Sequence, residues 1–285
     1  SILIDMIKTS KIRNHFRGVL PFALRVEILR FKRYMKWLME TSNIARTHLS
    51  FDERQEYKHL LAHHASPLER VPGSIESRLQ RGKERNVTTA ARQLNGLLIK
   101  PFEIFSYHRI VGRPSRLRGF RQGLELRDGR SSQGIGGGCC AISNMLYLLA
   151  LQGGMKITER HRHCFDLFPD HQRSVPFGCG ATIFYNYADL RFENPLEQPV
   201  LLKNWVEDGF LIGELRCIHD PGWTIEVYEK DHRFFQSGET WFRENRIRRR
   251  FSRADGHVFL DQEVAYNYGK VMYKLEDQSL CGEQS

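Results

Sequence analysis

The spacing of apolar positions changes near residue 157, and the elements it predicts change with it. Between residues 20 and 48, Leu24, Ile28, Phe31, Met35 and Leu38 follow one another in steps of four and three. That is the spacing of one face of a long helix. Residues 86–100 (NVTTAARQLNGLLIK) predict a second helix, capped at Asn86 or Thr88, with Leu94, Leu97 and Leu98 turned inward. The polar stretch between them, residues 50–85, is punctuated by Pro67, Pro72 and Gly73. It reads as helical fragments around a hinge, with His63-His64 as solvated surface. Ile142, Met145, Leu146 and Leu149 set the buried face of a helix of about twelve residues. Gly153-Gly154 supplies its stop, because glycine enters the left-handed cap without a Cβ clash.

Beyond Ile157 the runs are short and β-type: residues 181–185, 190–192, 199–203, 210–216 and 224–228, with further strands through 239–275. Asp208-Gly209 is a hairpin turn. Residues 246–253 (RIRRRFSR) form a strongly basic strand, read as an exposed edge guarded by charge in preference to a grip on an anionic polymer. The fold class is therefore α+β: N-terminal helices followed by a β-rich half, with a Gly-Gly-Gly-Cys-Cys loop opening a central helix. Residues 1–85 are expected as a helical extension, 86–220 as the core domain and 221–285 as its β-rich C-terminal extension.

The chain of 285 residues is 41% hydrophobic and 27% charged, values of a soluble globular protein. It contains no apolar run of the roughly eighteen residues that a membrane span needs. Its first residues, Ser1-Ile-Leu-Ile-Asp, lack the basic, apolar and small-residue regions of a signal peptide. Because the chain does not begin with Met, a preceding leader remains open. The expected location is cytoplasmic or peripheral to a membrane, or the cell envelope if such a leader exists. A net charge of +10 points to an anionic partner: membrane surface, wall polymer or nucleic acid. No zinc-finger spacing or RNA-recognition signature supports nucleic acid. Arg25, Arg30, Lys32, Arg33 and Lys36 flank the stripe of the first helix. An in-plane anchor on anionic headgroups is one reading of it, and a surface helix packed on the core is the preferred one. Six cysteines, at 139, 140, 164, 179, 217 and 281, form no disulfide framework, and they read mainly as small buried thiols of a reducing compartment.

The chemistry concentrates in residues 134–146 (GIGGGCCAISNML). Cys139 and Cys140 fall at the first turn of a helix, where the dipole and backbone N–H groups favour the thiolate. The approaching loop, Gly136, Gly137 and Gly138, allows backbone to come close to a ligand. His161 and His163 follow, two apart, so on a strand they share a face. A helix-terminal cysteine facing a strand-borne histidine is a nucleophile and base pair recurrent among cysteine acyl-transfer enzymes. Cys140, His161 and His163 would also make a zinc set with one open position, although no metal-binding spacing is evident. No cofactor is called for.

These residues resemble the VanW family, named for an accessory protein of vancomycin-resistance gene clusters. The resemblance rests on residues 101–106 (PFEIFS), 136–143 (GGGCCAIS), 159–163 (ERHRH), 180–183 (GATI) and 189–194 (DLRFEN), and spans about residues 86–216. It makes Cys140 the family cysteine and implies an L,D-transpeptidase-like reaction. In it the thiolate attacks the diamino-acid carbonyl of a peptidoglycan stem peptide, D-Ala leaves, and an amine of a neighbouring stem resolves the thioester. His163 is the preferred base, with His161 in support and Asp189 as a possible orienting carboxylate. Gly136, Gly137, Gly138, Ala141, Ser143, Arg160 and Thr182 are assigned to substrate or oxyanion contacts. Ala141 stands where the pattern has Gln, Gly180 where it has Asp, and Phe102 where it has Gly. Three classes of function remain: the cysteine acyl-transferase, a non-catalytic accessory module binding cell-wall peptide or glycopeptide, and a zinc-dependent hydrolase.

Overall fold

A computed structural model of the chain describes residues 22–40, 43–69, 77–127, 130–162, 165–166, 169–170, 175–185 and 188–275. Its centre is helix α4 (Cys140–Gln152). This helix follows α1 (Phe22–Met39), α2 (Ser77–Leu94) and the short α3 (Tyr107–Val111). Every residue of α4 from Met145 to Leu151 is buried, as are Ile142 and Ser143. A helix apolar on all sides must be enclosed. Gly153 and Gly154 end it, the second with φ of 77°.

One wall of the enclosure is a five-stranded antiparallel sheet in the order β1 (Thr47–His48), β3 (Leu97–Ile99), β10 (Val200–Glu207), β11 (Phe210–Cys217) and β2 (His59–Pro67). Gly213 of β11 lets α4 come close, because a Cβ there would meet Leu149 Cδ1 and Met145 Cε at 2.7 Å. The β10–β11 hairpin turns as expected at Asp208-Gly209, both with positive φ. A second sheet joins the long strands β12 (Trp223–Ser237), β13 (Thr240–Arg253) and β14 (Val258–Val271) to the two-residue β8 (Phe165–Asp166). Two smaller sheets complete the framework. One is β4 (Ile104–Ser106), β9 (Arg191–Glu193) and β7 (Lys156–Glu159), and the other is the β5–β6 hairpin (Gln122–Arg127, Arg130–Ile135). The class is α+β, with helices early and strands dominating the rest.

Several local expectations give way to tertiary pairing. The first helix stops at Met39 rather than near 48, because Ile44 bridges Ile104 and Thr47-His48 pairs with β3. Among the described residues between 50 and 85, helix is confined to the single turn Glu53–Glu56 and the start of α2 at Ser77, and β2 stands between them. It pairs along β11 as an edge strand, a position that tolerates its terminal Pro67. The second helix begins at Ser77 and ends at Leu94, so Asn86 and Thr88 lie inside it and Leu97 and Leu98 belong to β3. The boundary expected at residue 85 thus falls within α2. Residues 181–185 are not a strand, forming only the single bridge Phe184–Ala188. The basic strand is not an edge: β13 lies between β12 and β14. Three of its arginines are matched across the strands, Arg246 with Glu263, Arg248 with Asp261 and Arg250 with Glu226. Arg246 and Arg250 also stack over Tyr266 and Tyr228.

Candidate functional site

Cys140 is the first residue of α4, and it is partly exposed where its neighbour Cys139 is buried. Cys139 points inward, its Sγ 3.9 Å from the Asn86 carbonyl oxygen. Neither is disulfide-bonded. Of the two thiols, only Cys140 is presented to solvent at a helix N-terminus, as the sequence pattern requires.

The glycines in front of it are packing devices. A Cβ on Gly136 would meet Pro114 at 2.7 Å, one on Gly138 would meet Lys83 Cγ at 2.4 Å, and one on Gly137 would meet the Gly123 carbonyl oxygen at 2.2 Å. The close approach that glycine permits is to the protein's own α2 and β5 rather than to open groove. Asn86, in the middle of α2 and fully buried, clamps this loop: its amide nitrogen donates to the Gly137 and Arg121 carbonyls, each at 2.9 Å, and its oxygen accepts from Arg121 N–H. Gly137→Ala is expected to cost about 3 kcal/mol or more, since the neighbour that must yield is backbone. Urea denaturation measures this, and a midpoint equal to the parent's would contradict the packing role.

The backbone donors proposed around the nucleophile are largely spent. Ala141 N–H donates to Gly138 O at 3.0 Å, and Ile142 and Ser143 N–H both donate to Cys139 O. A different donor lies beside the thiols. Burial, reinforced by Cys139 and Cys140, raises the Tyr107 phenol well above its ordinary value, so it stays protonated. Its hydroxyl lies against Cys139 without a well-formed hydrogen bond. Thr182 likewise has a buried hydroxyl with no hydrogen-bond partner among the described residues.

Ser143 and Asn144 of the first turn of α4 hold the segment 180–182: Ser143 Oγ donates to Ala181 O at 2.6 Å, and Ala181 N–H donates to Asn144 Oδ1 at 2.9 Å. Next to it, Thr182 N–H donates to His161 O at 2.8 Å. His161 is therefore tied to the N-terminal end of α4 through two short links. It stands just beyond β7 rather than on a strand. At Gly180, a Cβ would meet Asn144 Oδ1 at 2.8 Å, so the side-chain volume there is taken by Asn144.

The imidazole of His161 is oriented by a residue to which the sequence assigned no role. Its Nε2 lies 2.9 Å from Glu159 Oε1. Glu159 is gripped in turn by both terminal nitrogens of Arg33 on α1, one at 2.7 Å. Burial would raise the Glu159 carboxyl, but hydrogen bonds from His161 and Arg33 outweigh it and hold the group well below the usual carboxylate range. The only sequence signal for the dyad was the i, i+2 spacing of Glu159 and His161.

Two other candidates make structural contacts. Asp189 is fully buried, accepting from Ser106 Oγ at 2.6 Å, His108 N–H at 3.1 Å and Leu190 N–H at 2.9 Å. It thereby caps α3, and among the described residues no imidazole donates to it. Arg160 stacks over Tyr147 and donates to the Gly178 and Gly180 carbonyls, fixing the loop beneath the site. His163 lies outside the described residues, as do Cys164 and Cys281. Among the described residues no three His, Cys, Asp or Glu side chains cluster as metal ligands.

The remaining described thiols are chemically quiet. Burial pushes Cys179 up to about 12 and Cys217 up to about 11. Brief alkylation of the folded protein at neutral pH is expected to modify Cys140 and spare these two, read by peptide mass mapping. Comparable labelling of Cys179 would contradict its enclosure.

Residues 82–216 match the VanW-like protein family. The vancomycin B-type resistance protein VanW of Enterococcus faecalis is 32% identical over 142 residues, covering 50% of this chain and 52% of that protein. The uncharacterized protein YoaR of Bacillus subtilis is 29% identical over 126 residues, 43% of this chain and 39% of the relative. The chain thus spans about half or less of the length of these relatives. No solved structure matches it significantly.

Proposed function

From the match of residues 82–216 to the VanW-like protein family, we propose that the protein is a cysteine acyl-transferase of cell-wall peptides, with Cys140 as nucleophile. The observation that carries this reading is the partly exposed thiol at the first position of a buried helix, together with an imidazole that Glu159 and Arg33 anchor and whose backbone is tied through residues 181–182 to that helix's first turns. The Glu159–His161 pair supplies the base. With Nε2 engaged by Glu159, Nδ1 is the nitrogen left to take the Cys140 proton.

The thiolate attacks a peptide carbonyl, and the C–N bond to the departing D-amino acid breaks as the imidazolium returns its proton to that nitrogen. An acceptor amine then attacks the thioester, loses its proton to His161 and regenerates the thiolate. Tyr107 O–H is the donor we assign to the oxygen of the tetrahedral intermediate, a task for which its raised pKa keeps the proton in place. Thr182 O–H is the polar contact for the peptide. The substrate class is the peptidoglycan stem, in keeping with a relative named for vancomycin resistance.

The test is incubation of the full chain with a tetrapeptide stem, followed by intact-mass measurement. The reading predicts an adduct equal to the stem less D-alanine, together with released D-alanine. The engagement of the Ala141, Ile142 and Ser143 N–H groups favours a second reading, an accessory module that binds the same peptide without chemistry. Saturable binding with neither adduct nor D-alanine would select it.

A further inference from the structure

Helix α1 is mounted inside out. The stripe that reads as its core face, Leu24, Ile28, Phe31, Met35 and Leu38, faces solvent, with Phe31 65% and Leu38 80% exposed. At 100° per residue these five lie within a narrow arc, and Val26, Arg30, Arg33, Trp37 and Glu40 lie opposite them. That opposite face does the docking. Arg33 grips Glu159, Arg191 donates to Glu40, Arg30 Nε donates to Tyr185 O at 3.2 Å, and the Arg109 guanidinium sits 5.1 Å from the Trp37 ring. The surface helix packed on its apolar stripe, the arrangement preferred from sequence, is thus corrected: polar anchors hold the helix and its apolar side points away.

We propose that this exposed face lies in the plane of an anionic lipid surface. The stripe runs about 21 Å along the helix axis, long enough to seat in the headgroup–acyl boundary. No described helix is long and apolar enough to cross a membrane, so α1 lies along the surface. Its charge fits anionic headgroups. Lys32 and Lys36 are exposed along one flank of the stripe. Glu27, the single acid within the helix, is paired with Arg30. The preceding sequence adds Lys8, Lys11, Arg13 and Arg17 against Asp5 alone. A second copy would also bury apolar surface, but it would set these lysines against their like.

The same helix carries Arg33, which holds Glu159 and through it His161. Docking α1 on a membrane would therefore set the candidate site at the bilayer edge. The membrane proposal does not depend on the acyl-transfer reading.

The experiment is flotation of the full chain with vesicles of equal parts phosphatidylglycerol and phosphatidylcholine, beside vesicles of phosphatidylcholine alone. The parent should float with the mixed vesicles and weakly or not at all with the neutral ones. Phe31→Glu combined with Leu38→Glu should abolish flotation. Lys32→Gln combined with Lys36→Gln should weaken it about thirtyfold, at about fivefold per cation near an anionic surface. Cys140→Ala should float as the parent does, which separates this result from that of the acyl-transfer test. These side chains face solvent, so each variant should keep the parent's circular dichroism and melting curve, verified beforehand. Three results would overturn the proposal: no flotation with either vesicle, flotation undiminished in the Phe31→Glu/Leu38→Glu variant, or a vesicle-indifferent dimer that this variant dissolves.

Discussion

If the protein is the proposed acyl-transferase, Cys140→Ser is expected to lower D-alanine release by at least about a thousandfold and to leave no adduct at that position. The serine oxygen is a poor nucleophile because its hydroxyl lacks a thiol's acidity. The substitution removes one partly exposed atom's chemistry and no packing contact of the core, so stability should stay within about 0.5 kcal/mol of the parent. The combination distinguishes a nucleophile from a structural cysteine, which would show the reverse: modest functional loss and lowered stability. Tyr107→Phe should give a smaller drop, of about a hundredfold, in keeping with removal of one oxyanion donor.

Arg33→Ala is expected to have a large effect on stability. The Arg33 and Glu159 side chains are 9% and 15% exposed, so removing the guanidinium strands a carboxylate that water reaches poorly. The expected cost is about 2–4 kcal/mol, the lower side of the range for breaking a buried pair because this one lies near the surface. The pH dependence follows from the same contact. Glu159 is held well below the usual carboxylate range, so the unfolded chain takes up its proton first as pH falls. The pair's contribution is complete above the unfolded value of about 4.3 and drains away as pH drops toward the depressed folded value. Arg33→Ala should lose stability at neutral pH and show a shallower decline in acid. Urea midpoints from about pH 7 to about pH 3 measure both, and a variant parallel to the parent across that range would contradict the role of the pair.

What the sequence disclosed was mostly local. The glycine cap, the 3.6-residue period and the turn dipeptide placed α4, its cysteines and the β10–β11 hairpin correctly, because each rests on contacts within a few residues. The direction of the α1 stripe was not local: it is decided by Arg33 and Glu159, 126 residues apart. Strand β2 was hidden because His63 and His64 break its apolar alternation, and pairing with β11 supplies what its side chains do not signal. Asn86 reads as a cap by type, yet its amide is spent on the glycine loop and Arg121, contacts visible only once α2 and β5 are side by side. Glu159 sat within a quoted motif without a role, since its partner on α1 could not be guessed. The glycine triplet was recognised, and its close packing against Pro114, Gly123 and Lys83 was not legible, because those neighbours meet it only in the fold.

The measurement that bears most directly on the account is the rate of Cys140 alkylation by iodoacetamide at pH values from about 5 to 9, followed by peptide mapping in the parent, His161→Gln and Glu159→Gln. The account predicts rapid labelling of Cys140 at neutral pH in the parent, slowed about tenfold by His161→Gln and less by Glu159→Gln, which keeps a hydrogen-bonding partner for the ring. If Cys140 instead reacts at one rate in all three proteins, rising only through about pH 8.5 as an ordinary thiol does, the Glu159–His161 pair does not activate it. The cysteine would then have no claim to be the nucleophile.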